Sequence, residues 1–152
     1  MSKQISLKYL EPLIRETLEK GGIFPILPNG QSMLPFLRPG ADEVFLSPLP
    51  EKIVSGDIIL YKRVDGTFVL HRVMEVKDSL YTFCGDGQII FEKDIKKDQM
   101  IAFVAEVVKD GKKIDLTSDK KYLAYKKRLV AIKKVNFFIY RVKAKLKSMF
   151  GL

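Results

Sequence analysis

A chain of 152 residues, 47% hydrophobic and 30% charged, is long enough for one core with an appendage and too short for two full-sized domains. Its single Cys excludes an internal disulfide framework, and its lone His leaves no all-protein zinc site of His and Cys ligands, so neither metal nor cofactor is expected. The net charge of +9 belongs to one end: residues 1–117 carry 16 Lys/Arg against 17 Asp/Glu, and residues 118–152 carry 11 against 1.

The opening "MSKQISLKYLEPLIRETLEKGG" has no apolar signal-peptide core. No window of the chain approaches the roughly 18 apolar residues of a membrane span, so residence in the cytoplasm, without a transmembrane segment, is expected. Leu10, Leu13, Ile14 and Leu18 recur at helical spacing, which predicts an amphipathic helix from about Ile5 to Lys20, stopped by Gly21 and Gly22.

From Ile23 to about Leu116 the pattern changes to short apolar runs broken by turn residues. Asp-Gly between apolar stretches, in "RVDGTF" and "VKDGKKI", predicts two hairpins in a β-rich middle. Beyond Asp119, Leu129, Ile132, Val135, Ile139, Val142, Leu146 and Met149 repeat every three or four residues, with lysines mostly elsewhere on the wheel. This predicts a long basic amphipathic helix, or two shorter ones. The coarse organisation is α+β: an N-terminal helix over 1–22, a β-rich domain over 23–117 and a helical tail over 118–152.

Within "GQSMLP" (30–35), Ser32 is by itself an ordinary loop residue between Gly and Pro. Its company is more informative. Ser32-Met33 is followed by Pro35, then by Pro39, Gly40 and Asp42 before an apolar run, by Gly56-Asp57 opening "DIILY", by His71-Arg72-Val73, and by Gly85-Asp86 after a further strand. Over about residues 23–107 this ordered set resembles the superfamily that contains the type I signal peptidases and the LexA-type repressor autoproteases.

The resemblance implies a mostly antiparallel, LexA/signal-peptidase-like core and a serine endopeptidase whose Ser32 sits at the mouth of a β-rich cleft. It is similar to the class with a His base, found in endoplasmic-reticulum, archaeal and sporulation-linked signal peptidases, since His71 stands directly before Arg72. Asp86 matches the acid of that class and would hold one imidazole nitrogen protonated so that the other faces Ser32. The bland alternative for Asp86 is a turn residue in "GDG". A His base needs orientation rather than a large pKa change, unlike a Lys.

Many bacterial signal peptidases place a Ser two residues before the nucleophile as an oxyanion donor, and here that position is Gly30. The Ser32 N–H remains available, and the missing donor is worth on the order of 3 kcal/mol. Met33 is expected on the wall of the substrate pocket, while Leu34, Phe36 and Leu37 contribute to packing. A second acid falls on Glu92 or Asp94. Arg72, opposite in strand alternation to His71, is expected in a surface or inter-strand ion pair, and Cys84 as a small buried residue at a strand end.

The expected activity is therefore cleavage of a polypeptide, a precursor or leader, by Ser32 and His71 through an acyl-enzyme. The alternative is a catalytically inactive peptide-binding or membrane-surface protein on the same fold. The basic segment 120–150 either meets an anionic membrane surface, peripherally on the inner face, or packs on the β domain with its lysines in water. No nucleic-acid partner is expected, because a single N-terminal helix makes no helix-turn-helix.

Overall fold

The computed structural model describes residues 6–151; Ile5, the expected helix start, lies outside them. Helix α1, Leu7–Glu19, begins at Ser6, whose side chain accepts from the Lys8 N–H, and ends where Gly21 turns back at φ +75°. It buries Ile14 and Leu18 against the sheet. Leu13, expected on the same stripe, is half exposed. Glu11 of α1 pairs with Lys62 of the sheet at 2.8 Å.

Eight antiparallel strands follow: β1 Phe24–Ile26, β2 Glu43–Ser47, β3 Ile58–Lys62, β4 Phe68–Lys77, β5 Leu80–Cys84, β6 Glu92–Lys96, β7 Met100–Lys109 and β8 Lys112–Asp115. They form one open sheet in the order β1-β2-β7-β3-β4-β5-β6, with β8 paired to β7. Both Asp-Gly signals mark real hairpins, β3–β4 and β7–β8. In the first, Arg63 N–H bonds the Thr67 carbonyl, which fixes a register pairing Ile59 with His71 and Leu60 with Leu70.

That register decides which side chains meet, because successive strand residues face opposite ways. Ile58 and Leu60 join Val44, Leu46, Ala102 and Val104 in a core closed by α1 and the first turns of α2. Ile59 and Tyr61 join Val69, Val73, Phe83 and Ile95 in a second core on the other face. Full burial of each Val, Leu, Ile or Phe side chain among these stabilises the fold by about 1.5–3 kcal/mol.

Helix α2, Lys120–Phe150, is a single helix, capped at its start by Asp119, which accepts from the Tyr122 N–H at 2.7 Å, and at its end by Gly151 at φ 65°. Tyr122, Val130 and Lys133 are its buried residues, with Lys126 paired to Asp57 at 2.8 Å and Phe137 stacked on Phe91. The stripe expected to be its apolar face is a different one. From Ile132 onward Val135, Ile139, Val142, Leu146 and Met149 are exposed: as far as Phe137 the anchors at Tyr122, Lys126 and Lys133 turn the opposite side to the domain, and from Phe138 to Phe150 every residue of the helix is exposed. Among the described residues no helix is long and apolar enough to cross a membrane.

Candidate active site

Ser32 lies in the turn-rich segment between β1 and β2. The far end of that segment is tied down by Asp42, a fully buried carboxylate that accepts from Arg38 N–H at 2.8 Å, from the Arg38 guanidinium at 2.6 and 3.0 Å, and from Lys109 at 2.7 Å. Burial alone would raise the Asp42 pKa, but these bonds outweigh it and hold the carboxyl well below its usual range. Lys109 also reaches the Phe36 carbonyl. Met33, Phe36 and Leu37 are buried and act as the hydrophobic root of the loop.

Beneath Ser32 lies the turn after β5. Gly87 N–H donates to the Ser32 carbonyl at 2.9 Å. Gly85 passes so close that a Cβ there would collide with that same carbonyl, which is why this position takes glycine. Asp86, between them, does not touch His71. Its two oxygens accept from Arg72 Nε at 2.8 Å and Nη2 at 2.7 Å, with both side chains fully buried. The expectation that Asp86 orients the imidazole is corrected on this point: a planar guanidinium one residue along β4 takes both acceptor oxygens.

Arg72 is likewise far from the surface. It also donates to the Gly56 carbonyl at 2.8 Å and to Tyr122 Oη at 2.9 Å, and lies over the rings of Phe36 and Tyr122. Burial would lower its pKa, but the Asp86 bonds hold it above the ordinary arginine value. Lys133 of α2 closes the same turn from outside by donating to the carbonyls of Asp86 at 3.1 Å and Gln88 at 2.5 Å. The Ser32 loop, the Gly85–Gln88 turn, β4 and α2 are thus joined through one buried polar network.

His71, 4% exposed, projects from the other face of β4. Its Nδ1 lies 3.3 Å from Tyr61 Oη, and Tyr61 donates its proton to Glu92 at 2.9 Å. Glu92 is held in turn by a two-point contact from Arg63, at 2.9 and 2.8 Å. Burial first, and then Glu92, raise the Tyr61 pKa far above the usual phenol value, while the Arg63 bonds lower that of Glu92. With the tyrosyl proton committed to Glu92, Tyr61 Oη can only accept from the ring. The network therefore assigns Nδ1–H to His71 and leaves Nε2 as the free base.

Burial pushes the His71 pKa down to about 4, opposed by the charge of Glu92, so the imidazole is neutral at pH 7. Of the two acids left open by the sequence, Glu92 is the one connected to His71. Asp94 sits in β6 at φ 62°, exposed.

Ser32, His71, Gly30 and Met33 line one cleft of about 1070 Å³, with Leu10, Ile26, Leu37 and Leu70 among its apolar walls. No hydrogen bond joins Ser32 Oγ to His71 among the described residues. The Ser32 N–H is not taken by any backbone carbonyl there. Nothing lies within 4 Å of where a Gly30 side chain would begin. Cys84 is buried at the end of β5, its Sγ near the carbonyls of Gly85, Gln88 and Ile90, and burial pushes its thiol pKa up.

Sequence reasoning missed Tyr61 and Arg63. The signal for Tyr61 was present: counting back from the "RVDGTF" turn pairs Ile59 with His71, which makes Tyr61 the diagonal neighbour on the same face. Among the described residues no group of three or more His, Cys, Asp or Glu could hold a metal ion.

No family model matches the chain, and neither the curated proteins nor the solved structures compared with it give a match.

Proposed function

We propose that the protein is a serine endopeptidase of the Ser-His type on a LexA/signal-peptidase-like core, acting on a polypeptide laid in the cleft. The observation that carries this reading is the placement of Ser32 in the same cleft as a neutral His71 whose Nδ1 is engaged and whose Nε2 is free.

The reaction runs by acyl transfer. Ser32 Oγ attacks the peptide carbonyl while His71 Nε2 takes its proton, and the Ser32 N–H donates to the developing oxyanion. The imidazolium returns the proton to the leaving amine as the C–N bond breaks. Water then attacks the Ser32 ester, giving its proton to Nε2, and the acid product leaves as Ser32 regains its hydroxyl. Tyr61 and Glu92 hold the imidazole tautomer, the role sequence reasoning gave to Asp86, and the charge of Glu92 favours the imidazolium that forms. Bonds between nucleophile and base are commonly long before substrate binds, so the unbonded Ser32 hydroxyl fits a site that tightens around a peptide.

The second reading, an inactive peptide-binding protein with the same cleft, draws on that absent bond and on Gly30, which supplies no side-chain donor. Incubation with a proteome-derived peptide mixture separates the two. The peptidase reading predicts new termini with the wild type and none with Ser32→Ala; unchanged peptides with the wild type favour the binding protein.

A further inference from the structure

Helix α2 has two apolar faces on opposite sides. The inner one, through Tyr122, Val130 and Phe137, is seated on the domain. The outer one is formed by Ile132, Val135, Phe138, Ile139, Val142, Leu146, Met149 and Phe150, all exposed, with Phe138, Met149 and Phe150 at 67–68%. At 3.6 residues per turn these eight fall in an arc of about 120°, and they run for about 27 Å along the helix. A continuous apolar stripe of this length left in water marks an interaction surface.

Charge identifies what the stripe meets. Between Lys120 and Phe150 there are 11 Lys/Arg and no Asp or Glu. Lys134 and Lys145 border one edge of the stripe and Lys143 and Lys147 the other, all exposed. A second copy docked stripe to stripe would bring these like-charged borders together. A surface that is apolar inside and anionic outside satisfies both features, with the lysine stems lying on the apolar layer and their ammonium groups among the anions.

We propose that the outer face of α2, residues 132–150, docks the protein on an anionic lipid bilayer. The helix lies along the interface instead of crossing it: it is not apolar enough to cross, and its first half is held on the domain as far as Phe137. Because that inner face also holds the Gly85–Gln88 turn through Lys133, the docked helix and the cleft form one connected unit.

The test is flotation of the full-length chain with vesicles of phosphatidylcholine alone or with about 30% phosphatidylglycerol. The bound fraction should rise at least tenfold with the anionic lipid and fall again at high salt. It should be lost in Val142→Glu/Leu146→Glu/Met149→Glu with the melting temperature unchanged, and weakened in Lys143→Glu/Lys145→Glu/Lys147→Glu. Absence of flotation, or equal flotation of the triple-glutamate stripe variant, overturns the proposal. So does a concentration-dependent dimer, lost in that variant, without vesicle binding: the stripe would then serve a second copy. Peptide cleavage plays no part in the measurement, so it fails or succeeds independently of the peptidase reading.

Discussion

Gly87 donates its N–H to the carbonyl of Ser32 across 2.9 Å, so the turn that carries Asp86 is the floor on which Ser32 rests. Arg72 grips that turn through Asp86 and sits one residue from His71 on β4. The buried ion pair therefore ties the turn beneath Ser32 to the strand that carries His71, without touching either group proposed to react.

This makes Asp86 a positioning residue whose loss is felt first in stability. Removing one partner of a buried ion pair costs about 3–5 kcal/mol. Asp86→Ala should lose about that much in urea denaturation, whereas Ser32→Ala, in a partly exposed turn, should stay within about 0.5 kcal/mol of the wild type. An Asp86→Ala protein as stable as the wild type would remove the ion pair from the account.

Tyr61→Phe keeps the ring in its core and deletes only the hydroxyl between His71 and Glu92. The imidazole then loses the acceptor that fixes its tautomer, and kcat for peptide cleavage should fall by about 10²-fold with KM little changed. Asp94→Asn, on an exposed residue of β6, the strand that carries Glu92, should leave kcat unchanged. Steady-state kinetics of the two variants on one peptide checks the assignment.

The buried His71 also predicts a pH dependence. An imidazole titrating at about 4 stays neutral well below pH 6.5, so the acidic limb of kcat/KM should lie near pH 4 to 5 instead of at the free-histidine value. The sign for stability follows from linkage. Between pH about 6.5 and about 4 the unfolded chain binds a proton at this residue that the folded chain does not, so stability is lost as pH falls across that window. The loss amounts to roughly 3 kcal/mol at most, and it should be absent from a His71→Asn protein compared by urea denaturation at pH 7 and pH 4.5.

Gly30 has open space where a side chain would begin, and its φ is not in the left-handed region that would penalise a side chain. Gly30→Ser should therefore fold as the wild type does and offer the oxyanion a second donor. A donor of this kind is worth up to about 3 kcal/mol, so kcat should rise by tenfold or more. An unchanged or lower kcat with an unchanged melting temperature would place the oxyanion elsewhere.

Much of the architecture was legible because it is written in local chemistry. The helical spacing of Leu10, Ile14 and Leu18 and the two Asp-Gly turns account for α1 and both hairpins. The polar network was less legible, since it depends on which acid finds which base across the sheet. Order in the chain points Asp86 at His71, whereas in the fold the turn after β5 carries it to Arg72, on the other face of β4. The outer stripe of α2 was visible as a periodicity, but the face chosen for packing was set by three contacts, at Tyr122, Lys126 and Lys133, that periodicity does not record.

The most direct measurement is mass-spectrometric detection of new peptide termini after incubating a proteome-derived peptide mixture at pH 7 with the wild type, Ser32→Ala and His71→Ala. A Ser-His peptidase gives a defined set of cleavages by the wild type, none by Ser32→Ala, and rates at least about 10²-fold lower for His71→Ala. The absence of cleavage by the wild type, or the same cleavages from Ser32→Ala, would contradict the peptidase reading.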